Sequence, residues 1–291
     1  MLKFKPLSIN DKALFEKYIK PYKFFTCDFS FIDLYMWRNL FHVEYCIYDD
    51  ALIIRKKEFD EPYFFLEPLG YRMDNLEKIL NELKDYKNGE HLIKYAESHF
   101  IKDLKALLPD KYIIEEDRDN FDYIYDTKRL ISLSSNSLSK KRNNYNHFVK
   151  NNIYDVKIYN ESLLKDCIYI IENWYKNCPK LHFLSHEIEA VHDVLLNFSI
   201  LNLQCMVVYV YNEPCAFSIG EILNENMAVI HVEKADRSIR GLYSFINKRF
   251  AETFYKDILY INREEDLGIE NLRKAKLSYN PIFLEPKYII K

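Results

Sequence analysis

Glycine is scarce: five among 291 residues, widely spread, so no glycine-rich phosphate loop can be built. Rossmann oxidoreductases and P-loop NTPases are excluded on that ground. No two of the six cysteines (Cys27, Cys46, Cys167, Cys178, Cys205, Cys215) have C-x-x-C spacing. In a chain this long they read as small buried hydrophobes in a reducing compartment, with no disulfide framework. No apolar run approaches the ~20 residues of a membrane helix. The amino terminus, MLKFKPLSINDKALFEK, alternates charged and apolar residues where a signal peptide needs an unbroken apolar stretch. A cytoplasmic protein is expected. There is little net charge: 41 Lys+Arg against 44 Asp+Glu gives −3 and a pI near 6.3. Contact with nucleic acid or an anionic membrane would therefore need a local patch.

What is present is an ordinary globular composition, 48% apolar and 29% charged, with 24 Tyr and 20 Phe. The length favours two domains over one core. In the second half, an alternating piece at 154–159 precedes two helical stretches, 161–178 and 185–198, the latter with Ser185 placed to cap. A meander follows: LQCMVVYVY, PCAFSIGEI and NMAVIHVEKA, joined by tight polar turns. Then come a helix (241–255), a strand (257–262), a helix begun by Asp266 (267–278) and a closing strand (282–290). The first half repeats this succession. A capping box, Ser8-x-x-Asp11, opens its first helix, a second helix spans 28–39, and strands at 42–48, 51–57 and 62–68 form another meander. A helix (74–86), a strand (91–96), a helix (100–108) and a strand (111–116) complete it. Residues 115–126 hold six acids and one base, whereas 127–154 hold six bases and no acid. The Ser- and Asn-rich SLSSNSLSKKRNNYNHF suits a loop leading into a short helix. The domain boundary is placed at 126.

After the third strand of the second meander stands Glu233-Lys234-Ala235-Asp236-Arg237-Ser238-Ile239-Arg240-Gly241-Leu242-Tyr243. A helix start offers unpaired amide groups and partial positive charge, and so holds phosphate without many side chains. Farther on, Ala275 and Tyr279 lie one turn apart on one helical face. Asn262-Arg263-Glu264-Glu265-Asp266 directly follows a strand, where open sheets present reactive groups. This element order, with Arg237-x-x-Arg240-Gly241-x-Tyr243, is similar to the GNAT N-acetyltransferase fold. There two neighbouring strands splay, and the donor's acyl-pantetheine arm lies in the gap with its pyrophosphate on the next helix's amides. The resemblance implies an α/β (α+β) chain of two tandem GNAT-like domains, 1–126 and 127–291, each a mixed, mostly antiparallel sheet flanked by helices. It implies donor contacts at Arg237, Arg240, Gly241 and Tyr243, and an acid at Tyr279 that returns a proton to the leaving group. The cradle departs from the family's R/Q-x-x-G-x-G/A in having one glycine and an extra arginine.

The stretches KKRNNYNHF, HVEKADRSIRGLY and NREEDLGIENLRKAKLSYNP closely resemble a bacterial family that includes the C-terminal catalytic domain of phosphatidylglycerol lysyltransferases. In those enzymes a tandem GNAT-like unit, joined to a multi-span membrane region, moves an aminoacyl group from tRNA onto a lipid hydroxyl. No such region is read here, so no integral membrane association is expected. The resemblance implies acyl or aminoacyl transfer to an amine or hydroxyl, with acyl-coenzyme A or aminoacyl-tRNA as co-substrate and no permanently bound cofactor. Glu233 is then the candidate base. Asn262, Arg263, Glu264 and Asp266 are candidate acceptor contacts, Arg263 by a two-pronged grip on carboxylate or phosphate. Lys141 and Arg142, with Tyr145, could meet a tRNA acceptor end through charge and stacking. In the first domain Glu67-Pro68-Leu69-Gly70 precedes no Arg-x-x-Arg-Gly, so that domain is expected to be catalytically silent. The competing reading is a non-catalytic binding module that kept the fold. His182, His186 and His192, near Glu187 and Glu189, do not form the H-E-x-x-H zinc motif, and no metal site is expected.

Overall fold

Both stretches that read as meanders pair antiparallel in the computed structural model, which describes residues 2–59, 61–176 and 184–291, with backbone only at 184 and 185. In chain order the elements begin with β1 (Lys5–Pro6), α1 (Lys12–Ile19), α2 (Phe31–Trp37), β2 (Glu44–Tyr48), β3 (Ala51–Lys56), β4 (Phe64–Phe65) and α3 (Leu76–Lys84). There follow β5 (Ile93–Ala96), α4 (Ser98–Leu107), β6 (Ile114–Glu116), β7 (Asp122–Asp126), α5 (Thr127–Ser132), α6 (Ser139–Asn151), β8 (Tyr154–Ile158) and α7 (Leu164–Lys176). The rest are α8 (Leu184–Leu196), α9 (Phe198–Leu201), β9 (Gln204–Val210), β10 (Glu213–Asn224), β11 (Met227–Ala235), α10 (Leu242–Phe254), β12 (Tyr260–Asn262), α11 (Glu270–Leu277), β13 (Phe283–Glu285) and β14 (Tyr288–Ile290).

The chain divides into two compact units. The first is Met1–Asp122 with Glu265–Gly268 and Glu285–Lys291; the second is Tyr123–Glu264 with Ile269–Leu284. The first unit's sheet runs β1-β2-β3-β4-β5-β14-β6. Its helix α3 buries Leu76, Ile79, Leu80 and Leu83, spaced i, i+3, i+4, i+7, in one cluster with Ile53, Phe65 and Ile93. The second unit's sheet runs β13-β7-β12-β11-β10-β9-β8. Its meander carries a register shift at Ile219/Gly220, where a Cβ on Gly220 would come within 2.3 Å of the Val229 carbonyl and 2.5 Å of the Tyr255 hydroxyl. Only glycine lets the strand and the α10 aromatics approach so closely. Among the described residues no helix is long and apolar enough to cross a membrane.

Three expectations need correction. The acidic stretch ending at 126 hides a strand: Tyr123, Ile124 and Tyr125 of β7 are fully buried in the second unit's sheet. The closing strand 282–290 is two strands. It breaks at Pro286, which has no N–H to donate, and β14 pairs with β5 and β6 in the first unit's sheet. The units are therefore not two contiguous blocks divided at 126. The Ser- and Asn-rich stretch carries a 13-residue helix, α6. The Ser8/Asp11 capping box is formed, although a 3₁₀ turn intervenes before α1. Cys27, Cys46, Cys167 and Cys205 are buried free thiols, and Cys215 is half-buried and free; Cys178 lies outside the described residues.

Candidate functional site

The site lies in the second unit, where β11 and β12 separate. They pair in parallel at only three positions, Met227 with Tyr260, Ala228 with Ile261 and Val229 with Asn262. Beyond them β11 continues to Ala235, hydrogen-bonded to β10 on its other edge. The chain leaving β12 instead follows β7: Arg263 N–H donates to the Tyr123 carbonyl (3.0 Å), and Tyr123 N–H donates to that of Glu264 (3.2 Å). The two strands are thus parted, as the resemblance requires.

Side chains bridge the gap in two places. His231 and Glu233, two residues apart, share a face of β11. The His231 imidazole, 1% exposed, lies 2.9 Å from Glu264 by Nδ1 and 3.0 Å from Glu221 by Nε2. Burial opposes its charge, but the two carboxylates outweigh burial and push its pKa up to about 10. Glu233 Oε1 accepts from Arg263 Nη2 (2.9 Å) and Oε2 from Asn247 Nδ2 (3.1 Å). Arg263 Nη1 and Asn247 Oδ1 remain buried without a hydrogen-bond partner among the described residues.

Tyr279 and Lys141 complete the cluster. The Arg263 guanidinium sits 4.7 Å from the Tyr279 ring centroid and the Lys141 ammonium 3.8 Å. Burial pushes Tyr279 up to about 12, with Arg263 and the Ser244 hydroxyl pulling the other way. Burial, and then the charge of Arg263, lower Lys141 to about 8. The site so gathers a proton-retaining phenol, an amine able to shed its proton near neutrality, and a fixed guanidinium.

Of the residues singled out in the sequence, Glu233, Arg263, Tyr279 and Lys141 come together. Others are spent elsewhere. Asn262 Oδ1 accepts Glu264 N–H (2.6 Å) and shapes the loop, and the Glu264 carboxylate is engaged by His231. Asp266 belongs to the first unit, where its fully buried carboxylate accepts Gly268 N–H (2.9 Å) and faces Arg118 (3.4 Å). It neither begins α11 nor joins the other acceptor candidates. Arg142 donates to the Leu133 carbonyl (2.6 Å), and Tyr145 stacks on Phe245 at 5.7 Å, so both brace α6. Tyr243 accepts from Trp174 Nε1 (2.6 Å), and exposed Arg237 lies 4.5 Å over the Trp174 ring. Arg240 is exposed just before α10. Gly241 caps α10 at φ 90°, and a Cβ there would come within 2.1 Å of the Asn144 carbonyl, so this glycine admits α6 against the helix start.

Sequence reasoning missed His231, Glu221, Asn247 and Ser244. The one available signal was the His-x-Glu spacing on β11, which places an imidazole beside Glu233. His186 is half-exposed, 4.0 Å from Glu189, and His182 lies outside the described residues. In the first unit Cys27, Asp122 and Glu265 converge with metal-like spacing. The Lys287 ammonium already fills that place, 2.8 Å from Asp122, 2.5 Å from Asp28 and 3.6 Å from Glu265.

The family described as phosphatidylglycerol lysyltransferase, C-terminal, matches residues 19–291. The chain belongs to this family. A conserved protein of unknown function from Bacteroides thetaiotaomicron is 32% identical, with a TM-score of 0.91 over 100% of this chain and 99% of that one. The L-PGS structure from Bacillus licheniformis shares the fold at 14% identity and a TM-score of 0.64, covering 97% of this chain and 92% of that one. A tandem GNAT protein of the clavulanic acid biosynthesis pathway shares it at 7% identity and a TM-score of 0.50, covering 100% and 97%. This member of the lysyltransferase C-terminal family is accordingly a tandem GNAT-like chain of a transferase family.

Proposed function

We propose that the second unit transfers an aminoacyl or acyl group, from aminoacyl-tRNA or acyl-coenzyme A, to an amine or hydroxyl acceptor. The observation that carries this reading is the parting of β11 and β12 with Lys141, Arg263 and Tyr279 gathered beside Glu233. Two titratable groups pushed apart by their surroundings divide acid from base work. Lys141, at about 8, takes the proton from the acceptor N–H or O–H. The freed nitrogen or oxygen bonds to the donor's carbonyl carbon, and the oxyanion that forms faces Arg263. As the carbonyl re-forms, the bond to the leaving oxygen or sulfur breaks, and Tyr279, at about 12, supplies its proton. Glu233, with both oxygens engaged, orients Arg263; this role replaces the base expected of it. Arg237 and Arg240 at the start of α10 meet the donor's phosphates.

A specific observation favours the second reading, a binding module without turnover: the His231/Glu264 and Glu233/Arg263 pairs already span the gap. Thermal shift against acetyl-coenzyme A, a longer acyl-coenzyme A and charged tRNA separates the donors, since a ligand at 100 times its Kd adds about 2.7 kcal/mol. Arg240→Ala should abolish the shift given by the true donor. Loss of label from that donor to an added amine supports transfer; a shift without turnover supports the module. No shift with any donor refutes both donor assignments.

A further inference from the structure

We propose that the first unit binds a primary alkylammonium ligand in a cavity at the amino end of α4. The cavity has a volume of about 350 Å³, and its walls include Tyr22, Phe24, Phe25, Glu97, His99 and Glu285, all residues of the first unit. That volume suits a small organic molecule.

Glu97 supplies the specific contact. Its side chain is only 7% exposed. Oε1 accepts from Phe25 N–H (2.9 Å), Thr26 N–H (2.8 Å) and the Thr26 hydroxyl (2.8 Å). Oε2 forms an ion pair with His99 Nδ1 at 3.7 Å, beyond hydrogen-bond distance, and so keeps lone pairs for a further donor. A carboxylate oxygen on a cavity wall with lone pairs to spare accepts an N–H donor.

Charge agrees. Glu67, Glu97 and Glu285 face one buried-side cation, His99, whose Nε2 is committed to Glu67 at 2.9 Å, while Lys23 lies exposed at the rim. Glu285 makes no ion pair among the described residues, and burial together with the carboxylates of Glu97 and Asp122 pushes it up to about 7. One further positive charge relieves this repulsion. Part of the wall is apolar: Tyr22 stacks on Phe24 at 5.0 Å and 18°, and both rings lie beside His99. Rings beside carboxylates accommodate an alkyl stem carrying an ammonium head. A bare metal ion would find Oε1 spent and aromatic carbon in the wall, and an anion would meet the carboxylates of Glu97 and Glu285. The assignment stands apart from the transfer reading, which concerns the second unit alone.

The test is calorimetric titration of the full chain at pH 8 with n-pentylammonium, against 1-pentanol and pentanoate of matched length. Saturable one-site binding of the amine alone is expected. Glu285→Gln should weaken it about tenfold, the scale of one lost charge-assisted contact, with the unfolding temperature unchanged. Glu97→Gln should abolish binding; should that variant fail to fold through loss of its Thr26 contacts, Glu285→Gln decides. Absence of amine binding, equal binding of pentanol, or full affinity in Glu285→Gln would overturn the proposal.

Discussion

Replacing His231 by Phe tests whether a charged imidazole ties the parted strands together. Its pKa rises from the ordinary 6.5 to about 10. At ~1.36 kcal/mol per pKa unit the rise corresponds to at most ~5 kcal/mol. Glu221 and Glu264 are 13% and 20% exposed and recover part of their hydration once the cation is gone, so the expected loss is about 2–4 kcal/mol. The folded pKa lies above the unfolded one. The stabilisation is therefore complete below pH 6.5 and fades as pH rises through about 10. Urea unfolding of wild type and His231→Phe at pH 6, 8 and 10 should show a gap widest at pH 6 and shrinking toward pH 10. His99, also raised to about 10, is present in both proteins and cancels in the difference. NMR titration gives the direct readout, an imidazole that keeps its proton past pH 8. A midpoint near 6.5, or a stability gap that does not change with pH, would refute the reasoning.

Lys287→Met should cost about 3–5 kcal/mol in denaturant unfolding, because it removes the ammonium that the fully buried Asp122 pairs with and leaves Asp28, 7% exposed, to Lys56 at 3.2 Å. Lys274→Met, at a pair 68% and 78% exposed, should stay within ~0.5 kcal/mol; equal losses would show that burial is not the deciding factor. Gly241→Ala should destabilise by about 1–3 kcal/mol, since its Cβ meets the Asn144 carbonyl and φ is 90°; an unchanged midpoint would mean α6 is free to move away. Tyr279→Phe should lower kcat by about 10²-fold or more while donor affinity holds, as expected for loss of a general acid. Unaltered turnover would remove Tyr279 from the chemistry.

Much of the second unit was legible because local chemistry agreed with tertiary need. The period-two pattern of NMAVIHVEKA gave β11, and the polar turns before and after PCAFSIGEI gave β10. Glu233, near the end of a strand, and Arg263 and Tyr279, just past a strand and a helix, could be named because they stand at spacings a known fold uses. Asp266 misled for a physical reason. An acid before an apolar-faced helix reads as a cap, but here its carboxylate binds the amide of Gly268 two residues on, and α11 starts later, at Glu270. Arg142 and Tyr145 looked like a surface patch because nothing in KKRNNYNHF announces that Leu133 and Phe245 lie beneath them.

Period and turn chemistry, which act over a few residues, dictated the two meanders, the helices between them and the absence of nucleotide loops. They could not dictate that the last strand completes the first unit's sheet, nor that Asp28, Asp122 and Glu265 meet around the Lys287 ammonium. Those partners are set by which long-range closure buries the most apolar surface while leaving no buried charge alone. The same holds for His231. Its position on β11 is written in the strand, but its charge comes from two carboxylates, ten and thirty-three residues away, that only the folded chain brings to it.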